Sequence, residues 1–248
     1  MQRLGKNTGA YRGDPIVIED VLQKIALVAE QKKWERDPTF LAYRRQPVTV
    51  RNRIYISTGI HGDEPAGPLA ALQLIEDDAW PADAALWLCP CLNPTGFPLN
   101  TRESSQGIDL NRDYRHLQTP EIRAHTQWLQ NQPGFDLTLC MHEDWESQGF
   151  YVYELNPANR PSLAEKIIEA VAKVCPVDPS PIIETWAANA GVIRPQVNPP
   201  DRPQWPESLY LIVHKTSLSY TLEAPSDFSL PTRVEALSAA VKTAVGLL

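Results

Sequence analysis

A single α/β domain is the class this sequence predicts: a mixed, mostly parallel twisted sheet with helices on both faces. Three observations lead there. Apolar runs of strand length alternate with longer stretches of helical periodicity. Chemically able polar residues recur where the apolar runs end, the place where ligands bind in open α/β sheets. No internal repeat and no shift in composition divides the 248 residues, so residues 1–248 are expected to share one core.

The elements follow in order. Residues 16–33 set Ile18, Val21, Leu22, Ile25, Ala26 and Ala29 near helical spacing. Residues 40–43 are a short strand candidate, and 48–50 join or precede the next one, residues 53–58. The chain then bends at Gly59 and Gly62, where a missing side chain permits a sharp turn and close approach to a ligand. A helix begins near Pro65 and Gly67, since proline suits a first turn, and ends at residue 77 or 78. Residues 84–89 are a buried strand that empties into a turn-rich stretch, 90–97, and a polar loop to residue 111. A helix over 120–130, a strand over 136–141 ending at His142-Glu143-Asp144, a strand over 149–154 and a helix over 162–174 come next. Residues 175–206 lose all periodicity amid eight prolines and are expected to be a long ordered loop, which in a compact domain is often functional. Residues 209–213 and 217–222 are the last strands, and 231–248 a closing helix with Thr232 near its start.

Composition narrows the function class. Hydrophobic residues make up 43% and charged residues 21%, as in an ordinary globular protein. A net charge of −7 argues against nonspecific binding to nucleic acid or to an anionic membrane, while leaving room for a local basic pocket. No run approaches the roughly 20 apolar residues of a membrane span, and residues 1–6 lead into no apolar stretch of the signal-peptide kind. The expected compartment is cytoplasmic. Cys89, Cys91, Cys140 and Cys175 lack metal-binding spacing and are expected to be buried free thiols, with a structural disulfide as the alternative. The sequence assigns no oligomeric state.

The chemistry gathers at strand ends. His61 and Glu64, three apart at a strand-to-helix turn, can point into one site. Imidazole and carboxylate are good Zn²⁺ ligands, and three protein ligands plus water is the usual catalytic arrangement. The pair alone arises often by chance. His142, directly after an apolar run, is placed to add a third ligand from a neighbouring strand end. Glu223, after the run 218–222, would carry a carboxylate into the same crevice without being needed by the metal. Such a carboxylate can take a proton from activated water and return it to a leaving amine.

These pieces resemble the M14 zinc carboxypeptidases, the carboxypeptidase A group, and especially their short bacterial members. His61-Gly62-Asp63-Glu64 resembles the first metal pair, and Asn93-Pro94-Thr95-Gly96 the Asn-Pro-Asp-Gly turn. Gly107-Ile108-Asp109-Leu110-Asn111-Arg112 resembles the Gly-Val-Asp-Leu-Asn-Arg segment, and Tyr220-Thr221-Leu222-Glu223 the run carrying the catalytic Glu. Each match is weak alone; four in order, from residue 57 to 223, are specific. The resemblance implies a zinc carboxypeptidase-like fold, with Zn²⁺ on His61, Glu64 and His142 and Glu223 as general base and acid. It implies that Asn111 and Arg112 grip the substrate's terminal carboxylate, which a guanidinium fork matches and a lysine does not. It implies that Arg102, nine residues before Asn111, stabilises the oxyanion. Asp109 either orients His61 through its second ring nitrogen or caps its own loop.

The chain departs from that family in two places. Glu143-Asp144-Trp145 follows His142 where members carry Ser or another small residue, which puts neighbouring substrate contacts in question. No tyrosine matches the one that closes over substrate in the larger enzymes. Trp186 and Trp205 wall a side-chain pocket or anchor the proline-rich loop, and His116, His125 and His214 are expected to be structural or surface residues.

The leading expectation is a metallocarboxypeptidase acting on small peptides with a free carboxylate, murein-derived peptides among them. The second is an N-acyl amino acid deacylase of the related succinylglutamate desuccinylase/aspartoacylase group. Those relatives usually add a C-terminal β-rich domain, and a chain closing in a helix 25 residues after Glu223 favours the peptidase. The third is a noncatalytic zinc- or peptide-binding protein, disfavoured by the complete His-Glu-His-Glu set.

Overall fold

In the computed structural model, residues 3–5, 13–196 and 198–248 are described. Residues 1, 2 and 6 of the N-terminal segment considered for a leader lie outside them. The chain runs α1 (Ile18–Gln31), β1 (Glu35–Arg36), β2 (Tyr43–Arg45), β3 (Asn52–Thr58), α2 (Ala66–Asp77) and β4 (Ala84–Cys89). It continues with α3 (Pro120–Gln130), β5 (Leu137–Asp144), β6 (Tyr151–Leu155) and α4 (Ala164–Val171). Last come β7 (Ile182–Ile183), β8 (Trp186–Asn189), β9 (Val192–Ile193), α5 (Glu207–His214), β10 (Ser219–Pro225) and α6 (Leu230–Gly246).

The strands form one mixed sheet in the order β1-β2-β4-β3-β5-β10-β6-β9-β8-β7. Its four central strands, β4, β3, β5 and β10, are mutually parallel. Parallel neighbours need long crossovers, which the helices supply. Towards the edges, short strands reverse through tight connections, and most pairs there are antiparallel. The sheet is mixed, as expected, with its parallel pairs concentrated at the centre.

Alternation along the strands sorts side chains onto two faces. Ile54 and Ile56 of β3, with Leu137, Leu139 and Met141 of β5, pack under α1, α2, α4 and α6. Tyr55 of β3 and Cys140 of β5 point the other way, under α3 and α5. All four cysteines are buried and free. Among the described residues no helix is long and apolar enough to cross a membrane.

The structure corrects three readings of the sequence. Residues 209–213 are the body of helix α5, not a strand. An unbroken apolar run cannot distinguish the two by period, and here Leu209, Tyr210 and Leu211 are buried while Val213 and His214 face solvent, a helical division. Strand β5 ends, as read, in His142, Glu143 and Asp144. The early strand lies at Tyr43–Arg45 rather than over 40–43, and Val48 is exposed. The proline-rich stretch is no mere loop: it holds β7, β8 and β9, which extend the sheet beyond β6.

One polar cluster crosses the α1/α2/α4/α6 face. Glu143 points there and accepts hydrogen bonds from the Ala66 N–H at the start of α2 (2.6 Å) and from Ser226 (3.3 Å). Arg233 of α6, wholly buried, forms ion pairs with Glu143 and with Asp14. The cluster pins the start of α2, just after Glu64, to the end of β5, just after His142. Removing one partner of a buried ion pair leaves an uncompensated charge. Arg233→Ala is therefore expected to lose about 3–5 kcal/mol of stability in urea unfolding; a loss under about 1 kcal/mol would contradict this role for the pair.

Candidate active site

The parallel register of the central strands brings three strand ends side by side. Thr58, at the end of β3, pairs with Met141, one residue before His142 in β5. His142 in turn pairs with Glu223 of β10. Paired residues on neighbouring strands share a face, so His142 and Glu223 both project to the α5 side while Glu143 projects away.

Beyond β3 the chain turns at Gly59, whose φ of +65° a side chain would rarely adopt. Gly62 sits against the Asn93–Gly96 turn so closely that a Cβ there would lie 2.1 Å from the Gly96 carbonyl carbon. That turn is locked by the Gly96 N–H donating to Asn93 Oδ1 (2.9 Å). This packing brings His61 back under the sheet end, and α2 begins at Ala66 with Glu64 in the same pocket.

His61, Glu64 and His142 converge, all buried, with one ligand atom from each within 4.8 Å of the others. Glu64 holds both imidazoles: Oε1 is 2.5 Å from His61 Nδ1, and Oε2 is 3.1 Å from His142 Nδ1. Burial alone would raise the Glu64 pKa, but His61 and His142 hold it well below the usual carboxylate range. Two imidazole nitrogens and a carboxylate facing one point suit a divalent cation, and the donor set fits zinc.

Asp109 organises the surroundings. Its Oδ1 lies 3.3 Å from His61 Nε2 and accepts from the Asn111 N–H (2.9 Å), while Oδ2 accepts from Arg102 Nε (2.9 Å). Its two expected roles, orienting His61 and capping the loop, are filled together. Burial would raise its carboxyl, but the His61 contact and the nearby Arg102 and Arg112 hold it well below its ordinary value. The Arg102 guanidinium thereby lies against the triad, with Nη1 3.3 Å from His61 Nδ1 and 3.9 Å from Glu64 Oε1. Its side chain keeps 39% exposure, open to the crevice.

Asn111 and Arg112 stand on a single 3-10 turn, Leu110–Arg112. Arg112 is exposed and donates to the Asn111 carbonyl (2.9 Å); among the described residues it has no carboxylate partner. Glu223 makes no hydrogen bond among them either. Burial lifts its pKa well above the ordinary value, and Glu64, Asp144 and Glu184 add to the rise against a smaller opposing effect of Arg102.

Sequence reasoning missed Glu207. It is buried at the first turn of α5, and its carboxylate accepts from Tyr55 Oη (2.7 Å) and Ser57 Oγ (2.9 Å) of β3. Tyr55 in turn accepts from His125 Nε2 (2.9 Å), which leaves Nδ1 to accept from Tyr114 Oη (2.7 Å). His125 is thus a neutral structural histidine, its pKa lowered by burial to about 3. Burial pushes Glu207 up to about 7, more than the Tyr55 and Ser57 hydrogen bonds lower it. Pro206 followed by an acidic residue is a helix-start signal that would have found α5. The two tryptophans considered for a side-chain pocket act as anchors: Trp205 Nε1 donates to Pro199 O (3.0 Å), and Trp186 stacks under Arg202.

The family model for the succinylglutamate desuccinylase/aspartoacylase catalytic domain matches residues 50–176. Carboxypeptidase SOL1 of Arabidopsis thaliana is 30% identical over 29% of this chain, and the match spans about a fifth (19%) of that protein. A Shewanella amazonensis protein described as a candidate metallopeptidase superposes with a TM-score of 0.79 at 22% identity, over 94% of this chain and 93% of that one. A metallo-carboxypeptidase from Pseudomonas aeruginosa, in complex with (2-guanidinoethylmercapto)succinic acid, superposes at 0.70 with 20% identity, over 95% and 70%. Identities this low show a shared metallocarboxypeptidase-like fold.

Two outcomes are expected. One divalent ion per chain should survive dialysis of the native protein and be lost from His142→Ala, read by metal analysis. Asp109→Asn should weaken metal affinity about 10–100-fold through the freed His61 ring; unchanged affinity would contradict the orienting contact. The second concerns pH. A carboxyl raised from 4.5 to about 7 on folding keeps its proton in the folded state while the unfolded chain releases it, so stability falls as pH rises through that window. Between pH 5 and 8 the native protein should lose roughly 2–3 kcal/mol more than Glu207→Gln in urea unfolding; parallel profiles would contradict the assignment.

Proposed function

We propose, from the premise that this chain belongs to the succinylglutamate desuccinylase/aspartoacylase catalytic-domain family, that it is a zinc-dependent amide hydrolase. It removes the C-terminal residue of a small peptide, cutting the bond next to a residue whose carboxylate is free. The observation that carries this reading is Arg112, a guanidinium without a carboxylate partner among the described residues, beside Asn111 in the loop that also supplies Asp109 to the His61-Glu64-His142 triad.

Each residue has a distinct task. Held by His61, Glu64 and His142, zinc would polarise the scissile carbonyl and acidify water. Asn111 and Arg112 grip the terminal carboxylate, and the guanidinium offers two parallel hydrogen bonds to it. Arg102, already against the triad, meets the negative charge that develops on the carbonyl oxygen. Glu223 accepts the proton of the attacking water and passes it to the leaving amine. Its raised pKa favours the second transfer, and the charge of a bound dication would draw it back toward neutral, where the first transfer also proceeds.

A second reading is favoured by the family match itself. An N-acyl amino acid presents the same amide bond beside the same free carboxylate, and only the acyl side differs. The succinic acid group on the ligand of the Pseudomonas aeruginosa relative supports a site for small carboxylates under either reading. A complete set of ligands and base weighs against a binding protein without activity.

The test is turnover of zinc-loaded protein on blocked dipeptides, murein-derived peptides and N-acyl amino acids. Release of free C-terminal residues from peptides is expected; cleavage confined to N-acylaspartate or N-succinylglutamate would establish the second reading instead. Glu223→Gln should lower kcat by about 10²–10⁴-fold, and an undiminished rate would remove Glu223 from the chemistry.

A further inference from the structure

Asn111 is nine-tenths buried, yet half of its side chain has nothing to bond. Its Oδ1 accepts from the backbone N–H of Glu207 (2.8 Å), and its Nδ2 has no partner among the described residues. The assignment of the amide is fixed by chemistry, because a backbone N–H only donates and so must face the oxygen. The NH₂ group is thereby turned to the opposite side, where it can donate to a ligand.

The group that does this turning is itself held in place. The first N–H groups of a helix lack intrahelical acceptors. Pro206, which precedes α5, offers no side-chain cap, so Asn111 supplies an acceptor from 96 residues away. The Glu207 side chain anchors the same helix end from below through Tyr55 and Ser57. Both lie on β3, the strand that leads into His61 and Glu64. One buried residue therefore joins the loop of the clamp to the strand that leads to the metal ligands.

We propose that Glu207 is the positioning residue of the carboxylate clamp: its backbone orients the Asn111 amide, and its side chain fixes the distance between clamp and metal centre. The inference rests on the clamp role given to Asn111 above, and it assigns Glu207 no contact with substrate.

The experiment compares zinc-loaded native protein with Glu207→Ala, Glu207→Gln, Ser57→Ala and Asn111→Ala. Two readouts are taken: KM and kcat on a blocked dipeptide with a free carboxylate, and the Asn111 side-chain amide signal in ¹⁵N NMR during titration with succinate. That signal is assigned by its absence from Asn111→Ala. Glu207→Ala should raise KM and weaken the succinate response about tenfold, the scale of one hydrogen bond to a charged group, while kcat moves less than KM. Glu207→Gln, which still offers an acceptor to Tyr55 and Ser57, should restore most of both readouts. Ser57→Ala, a milder change that keeps the fold if Glu207→Ala does not, should fall between.

An Asn111 signal that ignores succinate, or a Glu207→Ala response equal to native, would overturn the proposal. So would Glu207→Gln behaving like Glu207→Ala. A native protein inert toward every amide, whose Asn111 signal still follows succinate with this order of variants, would sink the enzymatic reading and leave the positioning role standing.

Discussion

Everything at this site depends on the register of three parallel strands. β3 ends beside Met141 while β5 and β10 run on together to Asp144 and Pro225, so the turn after β3 and the paired His142 and Glu223 open onto one crevice. Because side chains alternate, a shift of one residue in β5 would turn His142 away and remove one imidazole from the cluster with His61 and Glu64. The register is held on the opposite face by Glu143, which binds the start of α2 and the buried guanidinium of Arg233. The two neighbouring residues thus divide the work: one faces His61 and Glu64, the other fixes the strand that presents it.

The electrostatics answer an apparent conflict in the composition. A chain of net charge −7 would repel an anionic substrate at long range. At the crevice, however, Arg102 and Arg112 stand together, and Asp109 is occupied with His61 and Arg102. Glu64 and Asp109 are committed to partners, whereas the Glu223 carboxyl is lifted by burial and by Glu64, Asp144 and Glu184. A carboxyl without a hydrogen-bond partner, with its pKa raised, beside the His61-Glu64-His142 cluster is the feature that the proposed proton transfer needs.

Much of this was legible in the sequence, for reasons that also explain the failures. The strand Ala84–Cys89 and the helix Pro120–Gln130 stand in the structure over the residues read for them, because period and punctuation agree there. His61, Glu64, Arg102 and Asp109 lie within 49 residues, and their meeting follows from a strand, a turn and one polar loop. α5 was misread because Leu209-Tyr210-Leu211-Ile212-Val213 satisfies strand and helix alike, and only its one-sided burial decides. That error hid Glu207. Its hydroxyl partners on β3 lie 152 and 150 residues away, a contact no local pattern encodes. Likewise Glu143, which departs from the M14 pattern, raised a question about substrate contacts that the pleat answers: it never faces the crevice.

The proposed clamp recognises a free carboxylate. The most direct measurement is kcat/KM for two blocked dipeptides that differ only at the terminus, one a carboxylate and the other a carboxamide. A clamp of Arg112 and the Asn111 amide, left without its partner by the carboxamide, predicts a preference of about a thousandfold or more for the free acid. Values within about tenfold of each other would correspond to less than the loss of one charged hydrogen bond and would contradict the account.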